Sequence, residues 1–274
     1  MTQRIQTLRR REAAAARRPS DGGAVETCRL RWTGTGRLRP VFFDERVAAT
    51  YDDDGMSAPE VVDPAVDLLA ELADGGPALE LAVGTGRIAL PLAARGVPVS
   101  GIDTSAPMLA RLRAKPGADA VRATEGDMTT ARVPGTFSLV YLVFNTIMNV
   151  TSQDGQVAVF GNAAAHLGPG GRFVVEVMVP ALQRLPPGET VRAFTLTDEH
   201  LGFDEYDVVT QRLVSHHHRV GEGVLRVPFR YVWPAELDLM ARLAGMELEH
   251  RWAGWDRAPF TAASTAHVSV YRRP

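Results

Sequence analysis

The chain has 274 residues, 45% of them apolar and 23% charged, with a formal net charge of −2. That is the balance of an ordinary globular protein with one large core, and it gives no overall pull toward nucleic acid or an anionic membrane. A single cysteine, Cys28, excludes an internal disulfide and any Cys-x-x-Cys metal site, which suits a reducing cytoplasm.

Residues 1–40 hold ten arginines against Glu12, Asp21 and Glu26 and carry a net +7, leaving −9 for the rest. This stretch reads as a basic, flexible extension, with the folded domain over 41–274. Arg9-Arg10-Arg11 is not followed by an apolar stretch of the signal-peptide kind, and no run approaches the ~20 apolar residues that span a bilayer. The expectation is a cytoplasmic protein that binds neither nucleic acid nor membrane, as a monomer or homodimer. Lys115 is the only lysine, against many arginines and alanines, a bias of GC-rich bacterial genomes. It also removes a Tyr-x-x-x-Lys catalytic pair, because Arg111 stands four residues before Lys115.

Asp63-Pro64 reads as the start of a helix that ends at Asp74-Gly75-Gly76. A strand over 78–83 then runs into Gly84-Thr85-Gly86 and a helix over 86–95. Such a turn lets the backbone approach a ligand closely, and the helix behind it offers unpaired N–H groups and a positive dipole end. Gly84, Gly86 and Ala89 also satisfy G-x-G-x-x-G/A, so a nicotinamide or flavin cofactor fits as well. The next strand, 97–102, ends in Asp103, whose two oxygens suit the two hydroxyls of a ribose. After a helix over 105–114 and a strand over 120–124 comes Gly126-Asp127-Met128. Met108 and Met128 offer soft apolar faces to an adenine ring, and Asp127 an acceptor for its amine.

In this order of acid, glycine turn, acid and Gly-Asp-Met, the chain resembles the class I S-adenosylmethionine-dependent methyltransferases over roughly Asp63 to Val177. Ala82 stands where that family has its first glycine. The resemblance implies an enzyme using S-adenosylmethionine, with Glu80, Ala82, Gly84 and Gly86 around the methionine part. It places Asp103 at the ribose, and Met108, Asp127 and Met128 at the adenine, with Thr104 and Gly126 also against the cofactor. Tyr51 resembles a residue that closes over the cofactor, and Phe144 lies at the fourth-strand exit.

Strands over 137–143 and 172–178 flank a helix over 153–166. The alternation gives an α/β, Rossmann-like doubly wound sheet of seven mostly parallel strands, with ligands at the carboxyl ends. Beyond Val179 the pattern changes to extended segments over 192–198, 203–219 and 223–233, read as an antiparallel β lid inserted over 190–233 above the acceptor site. A helix from Pro234 to Gly245 and strands over 246–252 and 266–272 complete an antiparallel edge.

The expected acceptor is a small molecule, methylated on O or N, in bacterial secondary metabolism. Candidate catalytic groups are Asn145, His250 and Asp256. Trp255, Tyr206, Tyr231, Trp233 and Trp252 are candidate walls. His216-His217-His218 alternates faces in a strand, so three imidazoles cannot converge and no metal is expected. An NAD(P)-dependent oxidoreductase, or a non-methylating member of the fold, is the alternative.

Overall fold

A computed structural model describes residues 30–32, 38–40, 43–53, 55–221 and 223–274. The chain divides into two compact units, 1–41 and 42–274. In the first, β1 (Leu30–Trp32) and β2 (Leu38–Pro40) pair antiparallel, with Arg31 opposite Arg39. Apart from these two strands, the flexible extension expected over 1–40 lies outside the described residues.

The second unit opens with α1 (Glu45–Thr50), capped by the Asp44 side chain, and α2 (Pro59–Ala73). The helix starts four residues before the expected Asp63-Pro64. Pro59 takes the first-turn position, where a missing N–H costs nothing, and Pro64 lies inside the helix. The carbonyl that Pro64 leaves without a partner belongs to Glu60, an exposed residue that water reaches.

There follow β3 (Ala78–Leu81), α3 (Ala89–Ala94), β4 (Val99–Asp103), α4 (Ala106–Arg113), β5 (Val121–Glu125), β6 (Phe137–Leu142), α5 (Gln153–His166) and β7 (Leu167–Met178). Helix α3 begins three residues later than expected, because Gly86 sits at φ 81 and the backbone becomes helical only beyond it. Its six residues and the bonded turn before it offer little of the expected free helix end: Gly84 N–H goes to Asp103 and Gly86 N–H to the Val83 carbonyl. Strand β7 starts earlier than expected, since buried Leu167 already pairs with Phe137 before an irregularity that ends at Arg172 opposite Leu139.

The remaining elements are β8 (Val191–Leu196), β9 (His200–Asp207), β10 (Arg212–Arg219), β11 (Gly223–Arg230), α6 (Pro234–Leu243), β12 (Glu247–Trp252) and β13 (Ala266–Arg272). Seven strands form one sheet in the order β12-β13-β7-β6-β3-β4-β5, parallel from β7 to β5 and antiparallel at β13 and β12. The chain leaves β3 first toward β4 and β5 and then returns to β6, so the switch point lies between β3 and β6. A crevice opens at the carboxyl ends of strands at such a point.

Strands β8 to β11 make a separate four-stranded antiparallel sheet. The extended run expected over 203–219 is two strands. Between them Asp207 accepts from the Val209 N–H and the Thr210 hydroxyl, and Gln211 takes φ 54, which reverses the chain without glycine or proline.

The period-2 pattern of the strands sorts the core into two layers. Leu139, Tyr141 and Val143 pack with α2, α3 and α4, whereas Val140 and Leu142 pack with α5 and α6. Tyr206, Leu213 and Tyr231 join that second layer, so the four-stranded sheet is seated on the α5–α6 face. The rings of Tyr206 and Tyr231 are core, 2% and 1% exposed, rather than walls of a cleft.

Candidate active site

The residues after β3 turn in an unusual way. Ala82, Gly84 and Gly86 all have positive φ, at 59°, 55° and 81°. Glycine adopts this region freely, but for an alanine it costs roughly 1–2 kcal/mol. Asp103, at the end of β4, holds the turn: its Oδ2 accepts the Gly84 N–H at 2.7 Å and its Oδ1 the Ser105 N–H at 2.8 Å. Burial raises the Asp103 pKa, against the N–H groups of Ser105, Gly84 and Thr104. An ionised carboxylate has about four acceptor positions, so these three donors leave capacity for a ligand hydroxyl.

Around this turn lie the other residues expected at the nucleotide. Met108 is buried, and its Cε lies 3.7 Å from where a Cβ on Gly84 would be. The Ser105 hydroxyl caps α4 at the Met108 N–H and donates to the Phe43 carbonyl. Thr104 is exposed beside Asp103. Gly126 donates its N–H to the Asp103 carbonyl at 2.9 Å, joining the β5 exit to the β4 exit. Asp127 accepts from the Thr129 N–H and hydroxyl through Oδ1, and Met128 packs against the core.

Glu80 lies beneath the turn, 4% exposed, with its Oε2 accepting the Tyr141 hydroxyl at 3.0 Å. Burial pushes its pKa up to about 8, with Tyr141 and the positive charge of Arg87 acting the other way. Near neutrality this carboxyl is largely protonated.

Three features carry no mark in the sequence. The first is a clamp. Asp52 accepts the Thr85 hydroxyl at 2.7 Å and pairs with Lys115 at 2.8 Å, while Lys115 also donates to the Thr85 carbonyl at 2.8 Å. Burial works against the charge on Asp52, yet these donors hold its pKa below the ordinary value. The lone lysine thus ties the segment carrying Tyr51 to the glycine turn.

The second is Glu176, at the β7 exit. Its Oε2 accepts the Phe144 N–H at 2.9 Å and its Oε1 the Trp255 indole N–H at 3.1 Å. Burial raises its pKa, opposed by those donors and by Arg87. Phe144 and Asn145 take successive φ values of 57° and 60°, a strained turn that these bonds help to fix. The third is Arg87, whose guanidinium carbon lies 3.6 Å from the Phe144 ring centroid and 5.4 Å from that of Tyr51. Glu176 is a charge inside an apolar strand and Arg87 an arginine at a helix entry, and neither forms part of a local pattern.

The three catalytic candidates do not converge. Asn145 accepts the Met178 N–H at 2.6 Å, a brace between the β6 and β7 exits. His250 stacks on Trp252, with centroids 4.8 Å apart, on β12. It lines a groove of about 490 Å³ with Glu71, Asp74 and Arg172. Four inter-strand steps separate β12 from β3, about 19 Å at ~4.8 Å each. Asp256 is exposed and accepts the Ala258 N–H of its own loop. On β10, His216 stacks on Phe203 while His217 meets His200 on the other face, and no cluster able to hold a metal occurs among the described residues. Nor, among them, is any helix long and apolar enough to cross a membrane.

Residues 78–171 match a family model described as a methyltransferase domain. The chain is 30% identical over 254 residues to the cypemycin N-terminal methyltransferase of a Streptomyces species, covering 85% of this chain and 98% of that one. The structure of the CcbJ methyltransferase from Streptomyces caelestis matches at 40% identity with a TM-score of 0.74, over 84% of this chain and 97% of that chain. S-adenosylmethionine-bound CalS10, an amino pentose methyltransferase from Micromonospora echinaspora, shares the fold at 22% identity and a TM-score of 0.60, over 86% and 99% of the two chains.

The chemistry of the site fits that cofactor. A carboxylate with remaining acceptor capacity stands at the β4 exit, a soft methionine lies beside the glycine turn, and the carboxyl groups of buried Glu80 and half-buried Glu176 stand at the β3 and β7 exits. The glycine turn and Asp103 would suit a nicotinamide cofactor too, and the methyltransferase matches decide between them. The chain therefore belongs to the class I S-adenosylmethionine-dependent methyltransferases and is an enzyme that draws its methyl group from S-adenosylmethionine.

Proposed function

We propose that the enzyme methylates an amine nitrogen of a small molecule made in bacterial secondary metabolism. The observation that carries this is the carboxyl group of Glu176, at the β7 exit on the side of the crevice away from Asp103. The cofactor supplies a methyl on a good leaving group, so the transfer is an in-line displacement governed by positioning. An amine is protonated at neutral pH and must be neutral to attack, which leaves a proton to place. Glu176 binds its two protein donors with one lone pair on each oxygen and keeps the others. Its raised pKa suits it to take that proton. Phe144 and Trp255 are both fixed to Glu176 and are half-buried, which puts apolar rings beside the carboxyl group.

The likeness to the cypemycin N-terminal methyltransferase, whose acceptor is an amino terminus by name, supports nitrogen over oxygen. The four-stranded sheet is the proposed lid. Strand β11 contacts the turn at 146–149 after β6, and Tyr206 packs in one cluster with Met178 at the end of β7. Residues 1–40 are proposed as a basic extension of the methyltransferase domain over 41–274, with a monomer or homodimer in the cytoplasm.

The test is an acceptor panel of amino sugars, peptides with free amino termini and cyclic secondary amines, each paired with its hydroxyl isostere. Mass spectrometry of the products should show methylation of amines alone. Methylation confined to the hydroxyl members would overturn the reading.

A further inference from the structure

One acid of the four-stranded sheet has no counterion. Asp204 and Tyr206 lie two residues apart on β9 and so share a face of that sheet. The register puts Arg192 and Ser215 directly opposite Asp204, and Leu213 opposite Tyr206. Tyr206 and Leu213 pack in the cluster that includes Met178 at the β7 exit, so this face is turned toward the seven-stranded sheet. Asp204 is half-buried and Ser215 is 7% exposed. Burial raises the Asp204 pKa; the Ser215 hydroxyl bonds its carboxyl group, while Arg192 and His216 act on it only through space. Among the described residues no ion pair closes on Asp204, although Arg192 stands opposite. The Tyr206 hydroxyl is near enough to act on Asp204, yet it is buried and closes no hydrogen bond. A carboxylate drawn out of water without a cation is costly, and a buried hydroxyl left unpaired adds to that cost. An ammonium set against Asp204 offsets the first and gives the hydroxyl an engaged carboxylate to donate to.

We propose that Asp204 is the specificity-determining residue of the four-stranded sheet and binds a second, non-reacting ammonium of the acceptor, so that the substrate class is a diamine or an amine bearing another basic group. Carboxyl groups then flank the acceptor from two elements: Asp204 on β9 and Glu176 at the β7 exit. Acids on both sides favour a ligand with more than one positive charge. Charge-assisted hydrogen bonds to an ammonium are roughly twice as strong as neutral ones, which sets it apart from a hydroxyl at the same place. Tyr206 acts through Asp204, as a positioning residue. The inference rests on the reading of the four-stranded sheet as a lid over the acceptor, and the atom that is methylated does not enter it.

The unaltered chain, Asp204→Asn and Tyr206→Phe, each saturated with S-adenosylhomocysteine, are titrated calorimetrically with three probe series of graded length: n-alkylamines, α,ω-diamines and α,ω-amino alcohols. In the unaltered chain a diamine should bind about tenfold to a hundredfold tighter than the alkylamine of equal length, the scale of a charged hydrogen bond. Asp204→Asn should bring the diamine down to the alkylamine level. Tyr206→Phe keeps the ring in the core and should lose a smaller part of the preference. Thermal melts separate this from a structural role: a carboxylate without a counterion does not hold the fold together, so Asp204→Asn should melt no lower than the unaltered chain. A lower melting temperature with equal loss of every probe would make Asp204 a structural partner of Arg192 and overturn the proposal. Equal affinity of the unaltered chain for diamines and alkylamines would overturn it too, as would binding of none of the probes. Products formed with S-adenosylmethionine distinguish this inference from the choice of nitrogen. Amino alcohols methylated on oxygen, with the loss in Asp204→Asn retained, would uphold Asp204 and overturn nitrogen as the acceptor. Diamines methylated on nitrogen equally well by both chains would do the reverse.

Discussion

At the scale of single residues, the site depends on backbone conformations that only some side chains adopt without cost. Ala82 is held at φ 59 in the turn after β3. Relief of the left-handed strain is worth roughly 1–2 kcal/mol. Glycine's greater loss of freedom on folding takes back about 0.5–1 kcal/mol. Ala82→Gly should therefore raise stability by about 0.5–1 kcal/mol, read by urea denaturation; a destabilised variant would show that the methyl group packs usefully. Ala82, Gly84 and Asp103 were legible in the sequence because each sits at a strand end with fixed spacing from the next, and Met108 because it follows Asp103 on the next helix. Arg87 and Glu176 were not legible, since their importance comes from neighbours distant in the chain. Phe144 donates its N–H to Glu176 across two adjacent strands, a contact no local pattern encodes.

Elements show the same division. The βα alternation from 78 to 178 could be read because apolar runs are separated by glycine and proline signals, and the sheet has the expected parallel body and antiparallel edge. Misreadings came where the signals conflict. Two prolines compete for the start of α2, and the turn between β9 and β10 uses Asp207 and Gln211 in place of glycine. Docking of the 51–57 segment is a tertiary event that hangs on Lys115. In Lys115→Met the bonds to Asp52 and the Thr85 carbonyl go. The pair is about a third exposed, so global stability should change by less than ~1 kcal/mol. Amide hydrogen exchange, by contrast, should accelerate in residues 51–57 and at the glycine turn. Unaltered exchange there would mean that packing rather than the clamp seats the segment.

Across the whole molecule, the buried acids set how stability responds to pH. Glu80 has a folded pKa of about 8 against an ordinary 4.5. The folded state then binds more protons than the unfolded one between those values, and stability falls as pH rises through that window. A folded pKa one pH unit above the unfolded one corresponds to about 1.4 kcal/mol. Chemical denaturation from pH 5 to 8 should show a steady decline that levels off at higher pH, and Glu80→Gln, which keeps an acceptor for Tyr141, should flatten it. An equally steep decline in the variant would assign the effect to other groups. The cofactor claim itself is tested most directly by calorimetric titration of the unaltered chain and Asp103→Ala with S-adenosylhomocysteine, with NADH as control. The ribose placement predicts binding of S-adenosylhomocysteine and not NADH, and a loss of roughly 1.5–3 kcal/mol in the variant. Equal affinity in the two chains would remove Asp103 from the ribose site, and binding of NADH alone would contradict the assignment of the crevice.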